Sequence, residues 1–149
     1  MKKIEEEIQQ KKFKSAHQKA LVNFLYTSNW LHYKQQEFFK PYGITGQQYN
    51  ILRILKGQHP KSISATEIKS RMLDRNSDVS RLLDRLELKN LIIKKTSTAD
   101  KRATDVFITE QGLELLKAIA KKEELVDEMF NITEEEALLL SDLLDKCRS

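Results

Sequence analysis

Within residues 76–86, Val79, Leu82, Leu83 and Leu86 fall at i, i+3, i+4 and i+7. At about 100° per residue this spacing gathers them into one apolar stripe of a helix, and such a stripe must face a core. The opposite side is polar, with Ser77, Arg81 and Asp84 near its middle and Ser80 and Arg85 on its flanks. These side chains are short or forked enough to meet base edges and phosphates, so the stretch reads as a recognition helix.

The flanking residues narrow this further. Ser64-Ala-Thr-Glu67 has the spacing of a capping box, in which serine oxygen and glutamate carboxylate satisfy backbone N–H groups at a helix start. Ala65, Ile68 and Met72 give the helix that follows an apolar edge, and residues 73–76 supply a short turn. Two short helices joined by a tight turn make a helix-turn-helix. After Leu88, Lys89-Asn90 closes the second helix, because asparagine tolerates the left-handed backbone of a C-terminal cap. Residues 91–96 and 104–108 are rich in β-branched side chains, and the polar loop 97–103 joining them is basic at its tip. A hairpin beside a helix-turn-helix is a wing.

The ordered set Ser80 to Glu87, Leu91-Ile92, Asp100-x-Arg102 and Thr109-x-x-Gly112 resembles the MarR family of winged-helix transcription regulators, at motif level from about Thr45 to Gly112. Asn90 stands where that family usually has glycine, and Lys94 where it often has arginine. Asn90 is still a tolerable cap, while Lys94 loses a bidentate fork but keeps a phosphate-binding charge. The resemblance implies a two-fold dimer built by the first and the last two helices. It also implies repression more often than activation, and an effector pocket where the two lobes meet. Trp30, His32 and Tyr33 fall near that cleft, and ordinary packing between lobes is the alternative for all three.

The 149 residues suit a single domain, with 40% hydrophobic residues for a core and 32% charged residues to cover it. Charge is uneven along the chain: residues 1–60 carry a net +6, residues 61–102 a net +5 and residues 103–149 a net −7. One end of the molecule is therefore suited to face a polyanion, unless the imbalance is only a solvated surface. A single cysteine, Cys147, excludes an internal disulfide framework. No apolar run approaches the length of a membrane span or signal peptide, so no membrane partner and a cytoplasmic location are expected.

Residues from about Lys3 to Lys40 read as one long helix, with Phe13, Ala16, Ala20, Phe24, Leu31 and Phe38 at helical spacings. Leu21, Leu25 and Phe39 widen its stripe beyond what one neighbour covers. Thr45-Gly-Gln-Gln48 is a second capping box, opening a helix through Leu52 and Leu55 to a stop at Gly57. Residues 61–64 fit a short third strand. After the wing, Thr109 caps a helix expected to run through Leu116, Ile119, Val126 and Met129. Thr133 to Glu136 is a third capping box, leading into a last helix with Leu139, Leu140, Leu143, Leu144 and Cys147 on its apolar side. Such a helix cannot bury its leucines alone; a partner helix in the same or a second chain is implied.

The expected architecture is mainly α with a small β-wing. Residues 1–40 and 110–149 would form a helical dimerisation lobe, and residues 44–109 a winged helix-turn-helix lobe, within one domain spanning 1–149. In a two-fold pair, recognition helices about 34–36 Å apart would meet successive major grooves of one duplex, so the operator would be a pseudo-palindrome. Ser77, Ser80, Arg81 and Arg85 are candidate contacts to bases or phosphates, although Arg85 could instead pair with Asp84 or Asp100. Arg102 suits insertion into a narrow minor groove, with Asp100 either orienting it or capping the turn. Lys94, Lys95 and Lys101 would add sequence-independent phosphate contacts.

His17, His32 and His59 lack ligand-like spacing, so no metal is expected, and Cys147 reads as a small buried hydrophobe. The chain has no phosphate-cradling glycine loop and no nucleophile–base set, which argues against an enzyme and against a cofactor. The remaining alternative is a winged-helix protein-interaction module without specific DNA binding, which should carry apolar anchors where Ser77, Arg81 and Asp84 stand.

Overall fold

Thr45 and Gln48 open the helix on which the core is stacked. The Gln48 backbone N–H donates to Thr45 Oγ1 at 3.2 Å, and the Thr45 N–H donates to Gln48 Oε1 at 3.1 Å. This reciprocal bond also explains why a glutamine is buried there. In the computed structural model, which describes residues 1–122 and 129–149, this helix is α3 (Gly46–Gln58). It follows α1 (Ile4–Glu7), α2 (Ala16–Phe39) and a 3-10 turn at Lys40–Tyr42. Gly43, at φ +66°, reverses the chain between that turn and α3. Helix α3 runs one residue past Gly57 before Pro60, which has no N–H to continue it, so Gly57 is part of the last turn rather than the stop.

The chain continues through β1 (Ile63–Ser64), α4 (Ala65–Arg71), α5 (Val79–Leu88), β2 (Ile92–Thr96) and β3 (Thr104–Ile108). It ends with α6 (Glu110–Ala120) and α7 (Glu134–Lys146). The sheet is antiparallel in the order β1-β3-β2, with Ile63 opposite Val106 and Ile92 opposite Ile108. Ile92, Val106 and Ile108 alternate inward and meet Ile51, Leu52 and Leu55 of α3, Ile68 of α4, and Leu83 and Leu86 of α5 in one buried cluster. The result is the expected mainly helical winged-helix fold with a small three-stranded sheet.

The joint between α5, the wing and α6 is tightly specified. Asn90 takes a left-handed conformation at φ 58°. From there the N–H of Asn90 donates to Glu87 O at 2.9 Å, and that of Leu91 to Leu86 O at 3.1 Å. This pair of bonds is a Schellman ending. Thr109 Oγ1 then donates to Asn90 O at 2.7 Å and accepts from Gly112 N–H at 3.1 Å, so one side chain ends α5 and begins α6.

Two expectations for the terminal segments are corrected. Residues 3–40 do not form one helix: Ser15 caps α2 by accepting from Gln18 N–H at 3.1 Å, and Gln18 Oε1 accepts from Lys14 N–H at 2.6 Å. With Gln9 at φ 53° the first residues fold back along α2 as an arm. Glu5 pairs with Lys19, Glu7 accepts from Tyr26 Oη at 2.9 Å, and Ile4 is only 5% exposed. The Lys19 ammonium holds the Glu5 carboxyl below its ordinary range, and Glu7 pushes the Tyr26 phenol up. Cys147 is exposed rather than buried, because α7 buries none of its residues in the single chain. Leu138 is 64% exposed and Leu143 51%. Helix α6 ends at Ala120, and the expected continuation through Val126 lies outside the described residues.

Candidate nucleic-acid interface

The interface begins at α4, where Ser64 Oγ accepts from Glu67 N–H at 3.1 Å. The Glu67 carboxylate does not return to the cap; it takes Arg71 at 2.5 Å, so only half of the expected capping box forms. The turn after α4 is fastened from below by α3. Asn50 Oδ1 accepts from Leu73 N–H at 3.0 Å, and Gln47 Nε2 donates to Asp74 Oδ2 at 3.0 Å. Asp74 in turn accepts from Asn76 N–H at 2.9 Å, and its carbonyl accepts from both the N–H and the Oγ of Ser77. The turn is thus longer than the four residues expected from the sequence, and Asp78 is the true cap of α5, accepting from Arg81 N–H at 3.1 Å.

This changes the set of candidate contacts. Ser77 precedes α5 and is 5% exposed with its hydroxyl bonded inside the turn, so it cannot present that hydroxyl to a ligand. Ser80, Arg81, Asp84 and Arg85 do lie together on the exposed side of α5, opposite buried Val79, Leu82, Leu83 and Leu86. Among the described residues, neither Arg81 nor Arg85 has an ion pair, and Arg85 is bonded to neither Asp84 nor Asp100. Asp84 instead takes the Lys94 ammonium, which reaches across from β2. That pairing raises the Lys94 pKa above its ordinary value, against a smaller opposing effect of burial.

At the wing tip, Ser97 N–H donates to Ala103 O at 3.0 Å and Ala103 N–H to Asp100 O at 3.0 Å. Asp100 Oδ1 accepts from the backbone N–H of Arg102 at 2.9 Å. Of the two roles open to Asp100 from the sequence, the carboxylate therefore caps the turn. Both Lys101 and Arg102 project from the tip exposed. Lys95 lies with its ammonium 5.5 Å from the centre of the Phe107 ring, on the outer face of the sheet.

A cleft of about 1750 Å³ lies between the end of α2, the start of α3, the fastened turn and α5. His32, Arg53, Leu73 and Arg85 are on its wall, whereas Trp30 and Tyr33 are not. At about 100° per residue, Trp30 points to the far side of α2 from His32 and Tyr33 to its flank, which separates the three candidates. Among the described residues no group of His, Cys, Asp or Glu is placed to hold a metal ion, and no helix is long and apolar enough to cross a membrane.

Comparison with known proteins bears on the whole assembly. Residues 42–103 match the MarR family model. The transcriptional regulator MhqR of Bacillus subtilis is 30% identical over 109 residues, covering 70% of this chain and 72% of the relative. The transcriptional repressor MdtR of the same organism is 32% identical over 104 residues, covering 69% and 66%. Among solved structures, a MarR transcription factor from Planctomyces limnophilus superposes with a TM-score of 0.69 at 27% identity, covering 92% of this chain and 96% of that one. The S. aureus MepR–DNA complex superposes at 0.76 with 22% identity, covering 86% and 94%. With the fastened turn, the capped recognition helix and the first strand and tip of the basic wing in the matched region, and with a relative 30% identical over 72% of its length, the chain belongs to the MarR family.

Proposed function

We propose that this protein is a double-stranded-DNA-binding transcription regulator acting in the cytoplasm as a homodimeric, ligand-responsive repressor on a pseudo-palindromic operator. The reading rests on one observation: Arg81, Arg85 and Arg102 stand exposed and without ion pairs among the described residues, on a helix and a hairpin tip fastened to one core. Such forked cations suit phosphates and base edges. The solved MepR complex with DNA and the naming of MdtR as a repressor support it. An adaptor for protein partners would need a cluster of apolar anchors, and this side of α5 carries Ser80, Arg81, Asp84 and Arg85 with Leu88 as its one large exposed apolar side chain.

In this mechanism α5 enters the major groove, where Ser80, Arg81 and Arg85 meet bases and phosphates. The wing places Arg102 over the minor groove, while Lys95 and Lys101 contact phosphates. Residues 44–109 form the reading lobe, and residues 1–40 and 110–149 join two copies through the bare leucines of α2 and α7. An effector would occupy the cleft beside His32 and change the spacing of the two recognition helices.

The test is fluorescence anisotropy with fragments of the protein's own promoter. Arg81→Ala and Arg102→Ala should each weaken binding by the equivalent of about 1–3 kcal/mol, and log K should fall linearly with log salt. Wild-type affinity in both variants would overturn this assignment.

A further inference from the structure

The exposed side of α5 carries two carboxylates, Asp84 and Glu87, which repel a phosphate backbone unless a cation or a base donor answers them. One residue of the wing answers both. The Lys94 ammonium pairs with Asp84 Oδ1 and lies 3.8 Å from Glu87 Oε1, while the Lys94 backbone N–H donates to Glu87 Oε2 at 2.9 Å. Because β2 is an edge strand, that N–H points away from β3, and Glu87 closes the edge as well as bridging to α5. The Lys94 side chain is half-buried by these contacts, unlike its neighbour Lys95, which lies on the outer face over Phe107.

We propose that Lys94 is a positioning residue, not a phosphate contact: it fixes the angle between recognition helix and wing and cancels two carboxylates on the reading side. This rests on the DNA-binding reading above and revises the phosphate role expected of Lys94 from the sequence. A cation already held by two carboxylates would have to give both up to reach a phosphate. Its loss would leave them facing the DNA and remove the side-chain clamp between wing and α5, leaving only the backbone N–H of residue 94 on Glu87.

The test uses a duplex enriched by the wild-type protein from a random pool, and a set of copies in which single phosphates are replaced by neutral methylphosphonates. Lys94→Met should weaken binding on the order of tenfold, and Lys94→Arg, which keeps the clamp, should bind within about threefold of wild type. In the free protein, Lys94→Met should speed amide exchange across Ile92–Thr96 while the core stays protected. Every methylphosphonate should cost Lys94→Met as much as it costs wild type, whereas Lys101→Met should silence one position. A methylphosphonate whose cost vanishes in Lys94→Met would identify a direct phosphate contact and overturn the proposal. So would unchanged binding by Lys94→Met. Failure of the wild-type protein to enrich any duplex is a separate result that sinks the DNA-binding reading itself and this role with it.

Discussion

Gly112 is the third residue of α6, where a Cβ would lie 2.5 Å from the Leu91 carbonyl oxygen and 2.7 Å from Ile108 Cγ1. Neither backbone nor buried isoleucine can retreat, so Gly112→Ala should cost about 1–3 kcal/mol despite the roughly 1 kcal/mol that alanine gains in a helix. A thermal melt lowered by about 2–4 °C per kcal/mol would show it. Ser77 makes the complementary point. Ser77→Ala removes a hydroxyl bonded to the Asp74 carbonyl in a buried turn, so it should lower stability in urea by about 1 kcal/mol while leaving base preference unchanged. From the sequence, Ser77 and Ser80 look equivalent because the helical period carries back through residues 76–78. What separates them is Asp78, whose side chain takes the Arg81 N–H and starts the helix after Ser77. The four apolar positions of α5 were legible because burial sets a period; the cap was not, because it is a single polar bond.

The same limit explains α1 and α2. Phe13 is in helical phase with Ala16, Ala20 and Phe24 of α2, but the reciprocal bonds of Lys14, Ser15 and Gln18 start α2 afresh and leave the first residues to fold back. That arm is held at Glu5 by Lys19. A carboxyl held below its ordinary pKa of 4.5 contributes stability that is complete above that value and is lost as the pH falls through the lowered one. In an NMR titration from about pH 6 to about pH 3, the Ile4–Glu7 amide shifts should therefore move as the Glu5–Lys19 pair is lost, and in Lys19→Met that pH-dependent movement should shrink while buried Ile4 and the Tyr26–Glu7 bond still hold the arm. The wing was readable in advance, since β-branched runs bounded by a polar loop specify a hairpin, and Ser97 and Asp100 close its tip.

For the molecule as a whole, the leucines of α7 and the stripe of Leu21, Phe24 and Leu25 on α2 stand exposed in the single chain, and such apolar faces mark interaction sites. Leu139→Glu with Leu143→Glu should give a folded monomer by sedimentation, because neither side chain supports the described core, and its affinity for a two-site operator should fall about 100-fold or more. An uncovered face was legible from leucine spacing alone; the surroundings of Cys147 were not, because they depend on what covers α7. The fastening of the turn by Gln47 and Asn50 carries one more consequence. Both amides belong to the helix that walls the cleft, and both hold the segment from which the reading helix starts. A small molecule lodged against α3 would strain those two tethers, and thermodynamic reciprocity then requires operator DNA to alter the small molecule's dissociation constant by the same factor as the small molecule alters that of the DNA.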